Sequence, residues 1–218
     1  MNTAFRKGIC LCGLAVFVAA ISAVPAMAGT VTVYTNCGAT CPDWSNSNFN
    51  SVGTTNWLAE SFSLNQTSTL ADAVLVLSQS IGGPANLTVD IETDNGGTPS
   101  GNILDALTEV GSLPLSAGLV TFDCSSGCTL NASTTYWLVV DPPLPPSSDD
   151  WYDTTDGSTG LDTSTNSGLS WNSSPSTTQS AFKLDGTPSP VVPEPASMLL
   201  LGTALAGFAG LKRKLRSK

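Results

Sequence analysis

The chain has 218 residues, of which 41% are hydrophobic and 11% charged, and its seventeen Asp and Glu against eight Lys and Arg give a formal charge of −9. It contains no histidine, so Ser-His-Asp and Cys-His constellations lack their base. Seven of the eight basic residues lie near the two ends; between residues 29 and 192 sixteen carboxylates face Lys183 alone, about −15, which excludes nucleic acid and anionic membrane surfaces as partners of that stretch.

Residues 1–28 read as a secretory signal peptide. Arg6 and Lys7 form the positive start, residues 9–21 the apolar segment, and Ala26-Met27-Ala28 the small-x-small cleavage site, with Ala26 and Ala28 as its small residues and Gly29 as the mature N-terminus. Such a segment engages the Sec export machinery. The alternative, an uncleaved anchor, fits less well because the apolar segment is shorter than the roughly 20 residues a spanning helix needs.

Residues 29–186 are of a size for one domain with its own core. Stretches 30–35, 58–64, 71–78, 87–93, 119–123, 136–140 and 181–184 are short, with apolar, β-branched or aromatic residues at alternate positions, and read as strands. In the third of these Val74, Leu75, Val76 and Leu77 are apolar on both faces, as in a central strand. Residues 103–110 are ambiguous between a helical turn and a strand, and their neighbours favour a strand. Turn clusters such as Asp94-Asn95-Gly96-Gly97 and Ser125-Ser126-Gly127 separate these stretches. The pattern predicts an all-β domain, a β-sandwich of jelly-roll-like type.

Four cysteines follow the signal peptide as two C-x3-C pairs, Cys37 with Cys41 and Cys124 with Cys128. In an oxidising compartment they are expected as disulfides, and of the three connectivities the two local bridges close most readily. A four-cysteine zinc site is the rival reading, permitted by spacing but not by any zinc-finger-like layout.

After the Pro-rich stretch 142–146 come Asp149, Asp150, Asp153 and Asp156, which read as an acidic loop and as candidate oxygen ligands for Ca2+; solvated surface carboxylates are the commoner explanation, and no EF-hand spacing is present. Trp151 and Tyr152 beside them have the composition of a sugar-stacking platform. No catalytic residues, no firm metal site and no other cofactor are indicated: two carboxylates would suffice for glycoside hydrolysis, but nothing distinguishes any pair among sixteen. Residues 158–179, rich in Ser, Thr, Asn and Gly, read as long loops with one edge strand. Residues 187–192 are a Pro-rich spacer that favours extended backbone.

The chain then runs Pro193-Glu194-Pro195, an uncharged apolar stretch 196–211, and a basic cluster of Lys212, Arg213, Lys214, Arg216 and Lys218. As a helix the apolar stretch spans about 24 Å, short against a hydrocarbon core of about 30 Å. The basic flank suits headgroups and predicts a cytoplasmic end. This composite over 193–218 resembles the PEP-CTERM sorting signal of Gram-negative bacteria. That resemblance implies an exosortase that cuts at the tripeptide, a transient inner-membrane anchor, and delivery to the cell surface or extracellular matrix. An ordinary single-span anchor is the alternative.

Ala59-Glu60-Ser61-Phe62, then Leu87 to Ile91 running into Asp94-Asn95-Gly96-Gly97-Thr98-Pro99-Ser100-Gly101, then Asn131 to Val140 with its Tyr136-Trp137 strand, resemble in this order the choice-of-anchor R type of exported bacterial domain. The likeness covers 57–186 and implies a surface β-sandwich without catalytic residues. The sequence thus predicts a non-catalytic exported protein with a structural or adhesive role in an exopolysaccharide or biofilm context. The alternative is a carbohydrate-binding or carbohydrate-cleaving module, with extracellular polysaccharide as its partner, supported if tryptophans line one face or carboxylates pair in burial.

Overall fold

The computed structural model describes residues 29–190 apart from 54, 82–86 and 142–147. The signal peptide, the sorting segment and the Pro-rich stretch 142–146 therefore lie outside the described residues. Those described form an all-β fold of thirteen strands: β1 (Val31–Thr35), β2 (Trp44–Gly53), β3 (Trp57–Ser63), β4 (Ser68–Ile81), β5 (Thr88–Asp94), β6 (Pro99–Val110), β7 (Gly118–Asp123), β8 (Thr129–Leu130), β9 (Thr135–Asp141), β10 (Ser148–Thr154), β11 (Thr159–Ser164), β12 (Asn172–Thr178) and β13 (Phe182–Pro188). Every pairing between these strands is antiparallel.

The open sheet has two wings. In the first, β4 pairs with β13, β10, β7 and β8, while β1 extends β13 and β2 extends β10. In the second the order is β6-β5-β9-β3-β11-β12. β6 belongs to both: its residues up to Leu107 pair with β5, and Thr108, Glu109 and Val110 pair with β7. Register shifts at Ile91/Glu92 and Glu92/Asp94 in the β5 pairing lie nearer the start of β6, over residues 99–105.

Alternation then sends one face of each wing to a shared core. Leu75 and Leu77 of β4, Phe122 of β7 and Phe182 of β13 come from the first wing; Leu58 and Phe62 of β3, Ile91 of β5 and Leu138 of β9 come from the second. Phe62 ties them together, its ring centroid 5.5 Å from Tyr34 and 6.2 Å from Phe182, neither of which lies on a strand paired with its own. Full burial of side chains this size stabilises by about 1.5–3 kcal/mol each. Trp151 is fully buried in the same core, with its indole N–H donated to Ala181 O at 3.0 Å.

All seven predicted strands are present, residues 103–110 fall within β6, and Val74 to Leu77 are buried on both faces of β4 as expected. Three segments differ. Residues 149–153 are not a loop but strand β10, held between β2 and β4. Residues 158–179, read as long loops with one edge strand, supply the β11–β12 hairpin. The final strand runs to Pro188, and Ser189 N–H donates to Thr67 O at 2.8 Å, so part of the Pro-rich spacer is folded onto the domain.

Of the two expected disulfides, Cys37–Cys41 is formed, with its Cα atoms 4.4 Å apart. Cys124 and Cys128 are instead two thiols: Cys124 donates to Asp105 Oδ2 at 2.5 Å, and Cys128 N–H donates to Cys124 Sγ at 3.2 Å. With Cys37 and Cys41 bonded to each other, only two thiols remain, which removes the four-cysteine zinc reading.

Gly186 sits at the register shift where β13 leans closest to β4; a Cβ there would lie 2.6 Å from Thr69 O and 3.3 Å from Leu70 Cα, both backbone. Gly186→Ala should therefore destabilise the domain by about 1–3 kcal/mol, the usual range for forced overpacking. Urea denaturation measures this directly, and an unchanged midpoint would show that β13 has room to move.

Candidate functional site

Strand alternation gives the second wing an outer face as well as an inner one. On it the registers place Asp162, Ala59, Val139 and Asp90 side by side across β11, β3, β9 and β5, with Ser61, Trp137 and Glu92 in the adjoining row. Ala59 and Val139 form an apolar floor with Trp137, and Trp57 and Trp171 pack against it. Three of the five tryptophans thus gather on one face among carboxylates.

Local chemistry fixes their positions. Trp137 donates its indole N–H to Asp94 Oδ1 at 2.8 Å, and the same carboxylate caps Gly97 N–H in the β5–β6 turn. Glu92 Oε2 accepts Gly101 N–H at 2.6 Å, drawing the start of β6 towards the same edge. On the other side Gly168, with φ +75°, lies so near the Trp57 ring that a Cβ would be 2.9 Å from its Cζ3. Trp57 and Trp171 are half-buried, whereas Trp137 is only 4% exposed, so the two outer rings offer the accessible faces. Planar rings beside carboxylates are what a sugar ring meets in a binding site, apolar faces stacking while hydroxyls donate.

The carboxylates are held in a medium that disfavours their charge. Burial, reinforced by Glu92, Asp141 and Asp105, pushes Asp90 up to about 6. Burial alone pushes Asp141 to about 6, and burial with Asp150 and Glu109 does the same for Asp149. Glu60, on the inner face of β3, is raised well above the ordinary range by burial, against the opposing effect of Ser180 N–H at 2.6 Å, with Asp153 and Asp162 raising it further. Both oxygens of Asp149, and one each of Glu60, Asp90 and Asp162, are buried without a hydrogen-bond partner. Glu60 and Asp162 sit on neighbouring strands but face opposite sides of the sheet, so they do not flank a common cleft.

The four candidate calcium ligands are not brought together. Asp149 is fully buried on the Trp151 side of β10, while Asp150 points to the opposite side and accepts from Ser51 Oγ at 3.0 Å. Asp153 accepts from Asn50 Nδ2 at 2.6 Å, and Asp156 caps Ser158 N–H at 2.7 Å. The suggested platform of Trp151 and Tyr152 is likewise divided: Trp151 belongs to the core, and Tyr152, 9% exposed, faces outwards against Trp44 and Phe49. Sequence reasoning passed over Asp90, Glu92, Asp162 and Asp105. The alternation of 87–93 already set Asp90 and Glu92 opposite Val89 and Ile91; Asp105 carried no such signal.

Residues 191–214 match the family model of the PEP-CTERM protein-sorting motif, a span that takes in Pro193-Glu194-Pro195, the apolar stretch and Lys212, Arg213 and Lys214. The motif implies sorting of an exported protein by exosortase, a membrane enzyme, through a transient membrane anchor. No curated protein and no solved structure matches the chain.

Because Glu60, Asp90, Asp141 and Asp149 are all raised in the folded state, folding takes up protons as pH rises past the unfolded carboxylates. The contribution of all four is fully present below the ordinary carboxylate range near about 4; that of Asp90, Asp141 and Asp149 is lost as pH climbs through about 6. The urea midpoint at about pH 5 should exceed that at about pH 7.5, and Asp149→Asn should raise the higher-pH value and narrow the gap. A midpoint that rises with pH would contradict this.

Proposed function

We propose that the chain is an exported, non-catalytic surface or extracellular-matrix protein with a structural or adhesive role among exopolysaccharides, released from its membrane tail by exosortase. The observation that carries this is the sorting motif at 191–214, which begins two residues after Ser189, whose N–H donates to Thr67 O in the last backbone hydrogen bond among the described residues. On this reading the two wings are the layers of a jelly-roll-like β-sandwich, supported by the Phe62 contacts with Tyr34 and Phe182. Residues 57–186 are then a choice-of-anchor R type domain. An unbalanced acidic surface suits an extracellular component, since like-charged copies repel and remain dispersed.

The test replaces Pro193, Glu194 and Pro195 together by alanine in the producing cell. The precursor should remain in the membrane fraction at full mass, while the unaltered protein is recovered from surface or medium with its tail removed. Processing that continues unchanged would remove exosortase from the account.

A second reading, in which the domain binds carbohydrate, is favoured by the grouping of Trp57, Trp137 and Trp171 on one outer face with Asp90, Glu92 and Asp162. If that face stacks sugar rings, the double variant Trp57→Ala, Trp171→Ala should lose at least about tenfold in affinity for the cell's own exopolysaccharide in affinity electrophoresis, as loss of one or two stacking contacts implies. Equal retardation of variant and parent would leave the face with a packing role only.

A further inference from the structure

The join between the wings holds a donor set that the sorting and adhesive readings do not use. Asp105 comes from β6, the strand common to both wings, and is 7% exposed. Cys124 follows β7, and Cys128 precedes β8. One oxygen of Asp105 and the sulfurs of the two cysteines all lie within 4.8 Å of one another.

The backbone holds these groups in place before any ligand arrives. Cys124 N–H donates to Ala71 O at 2.8 Å, and Cys128 O accepts Leu70 N–H at 2.9 Å, so both ends of the five-residue turn are fastened to β4. Gly127, at φ +64°, makes the reversal between them. Asp105 Oδ2 accepts from Cys124 Sγ at 2.5 Å and from Ser126 Oγ at 2.6 Å. A carboxylate oriented by a neighbouring hydroxyl is the usual support of a metal-ligating group.

We propose that Asp105, Cys124 and Cys128 form a binding site for a thiophilic divalent cation of the zinc type, completed by water at the fourth position. Two thiolates select soft or borderline ions over Ca2+ or Mg2+, which take oxygen donors. A tetrahedral zinc centre sets its donors about 3.5–3.8 Å apart. The trio meets that spacing if Asp105 and Cys124 separate by about 1 Å as the ion replaces the thiol proton between them. Burial and Asp105 raise both thiols, so the two sulfurs carry their protons in the metal-free protein. Binding releases the thiol protons and strengthens with pH. The ion would couple β6 to the β7–β8 turn, which is to say one wing to the other. A Cys124–Cys128 disulfide would consume both sulfur donors, so the two occupants exclude each other.

The protein recovered from the surface or medium of the producing cell, without added reductant, is assayed for bound metal and intact mass, then treated with thiol reductant and chelator and titrated with Co2+. The expected result is zinc at about one per chain as isolated and, in the reduced and metal-stripped protein, tight Co2+ uptake with near-ultraviolet sulfur-to-cobalt charge-transfer and tetrahedral visible bands that Zn2+ removes and Ca2+ does not. Zn2+ should also raise the melting temperature of the parent chain. Asp105→Asn should weaken uptake by at least about tenfold, whereas a disulfide would be indifferent to that change. Absence of charge-transfer bands in the reduced parent chain overturns the site, as does Zn2+ affinity unaltered by Asp105→Asn. A native chain carrying a Cys124–Cys128 bridge and no metal overturns it equally.

Discussion

Strand β4 has no free edge. Along one side it pairs first with β13 and then with β10, along the other with β8 and then β7, and its central residues are buried on both faces. A strand so placed must be apolar in consecutive positions, and Val74-Leu75-Val76-Leu77 supplies that run. The positions of β10 and β13 follow from it, and through them those of β2 and β1. Even the polar β2 therefore owes its conformation to a chain of hydrogen bonds that starts at β4 and not to its own side chains.

The scarcity of cations shapes the rest. Lys183 pairs with Asp185, the one salt bridge among the described residues, so the other acids are accommodated by different means. Some cap backbone N–H groups, as Glu60, Glu92, Asp94 and Asp156 do. Others hold their protons to higher pH: burial raises Asp90 and Asp149 to about 6, and below that pH they escape the cost of an unpaired buried charge. The domain is held by hydrogen bonds and aromatic packing, with ion pairs contributing little.

What could be read from the sequence was whatever alternation dictates. Residues 58–64 and 136–140 carry Phe62 and Trp137 on opposite faces of adjacent strands, and both strands fall where that pattern puts them. β2 was not legible, and β12 only as an unplaced edge strand within 158–179, because Trp44–Gly53 and Asn172–Thr178 are mostly Ser, Asn and Thr; a neighbour's backbone makes them strands. β10 misled for the opposite reason. Asp149-Asp150 suggests solvent, yet Trp151 draws the segment into the core and buries both acids with it. The outer-face cluster was half visible, since Asp90 and Glu92 alternate correctly, but the arrival of Trp57 and Trp171 depends on pairing registers that no local pattern encodes. The sorting tail was the most legible part, because a short linear signal is read from the chain itself without folding.

The fastening of Ser189 to Thr67 has a consequence for access. Three residues lie between Ser189 and Pro193, and the four steps of chain that join them reach only about 14 Å even fully extended. On the proposed reading, an enzyme cutting at the tripeptide works close against the folded domain, a body wider than that gap. Such an enzyme would meet the β4–β13 end of the sheet, so on that reading the shape of the cargo, and not the signal alone, bears on processing.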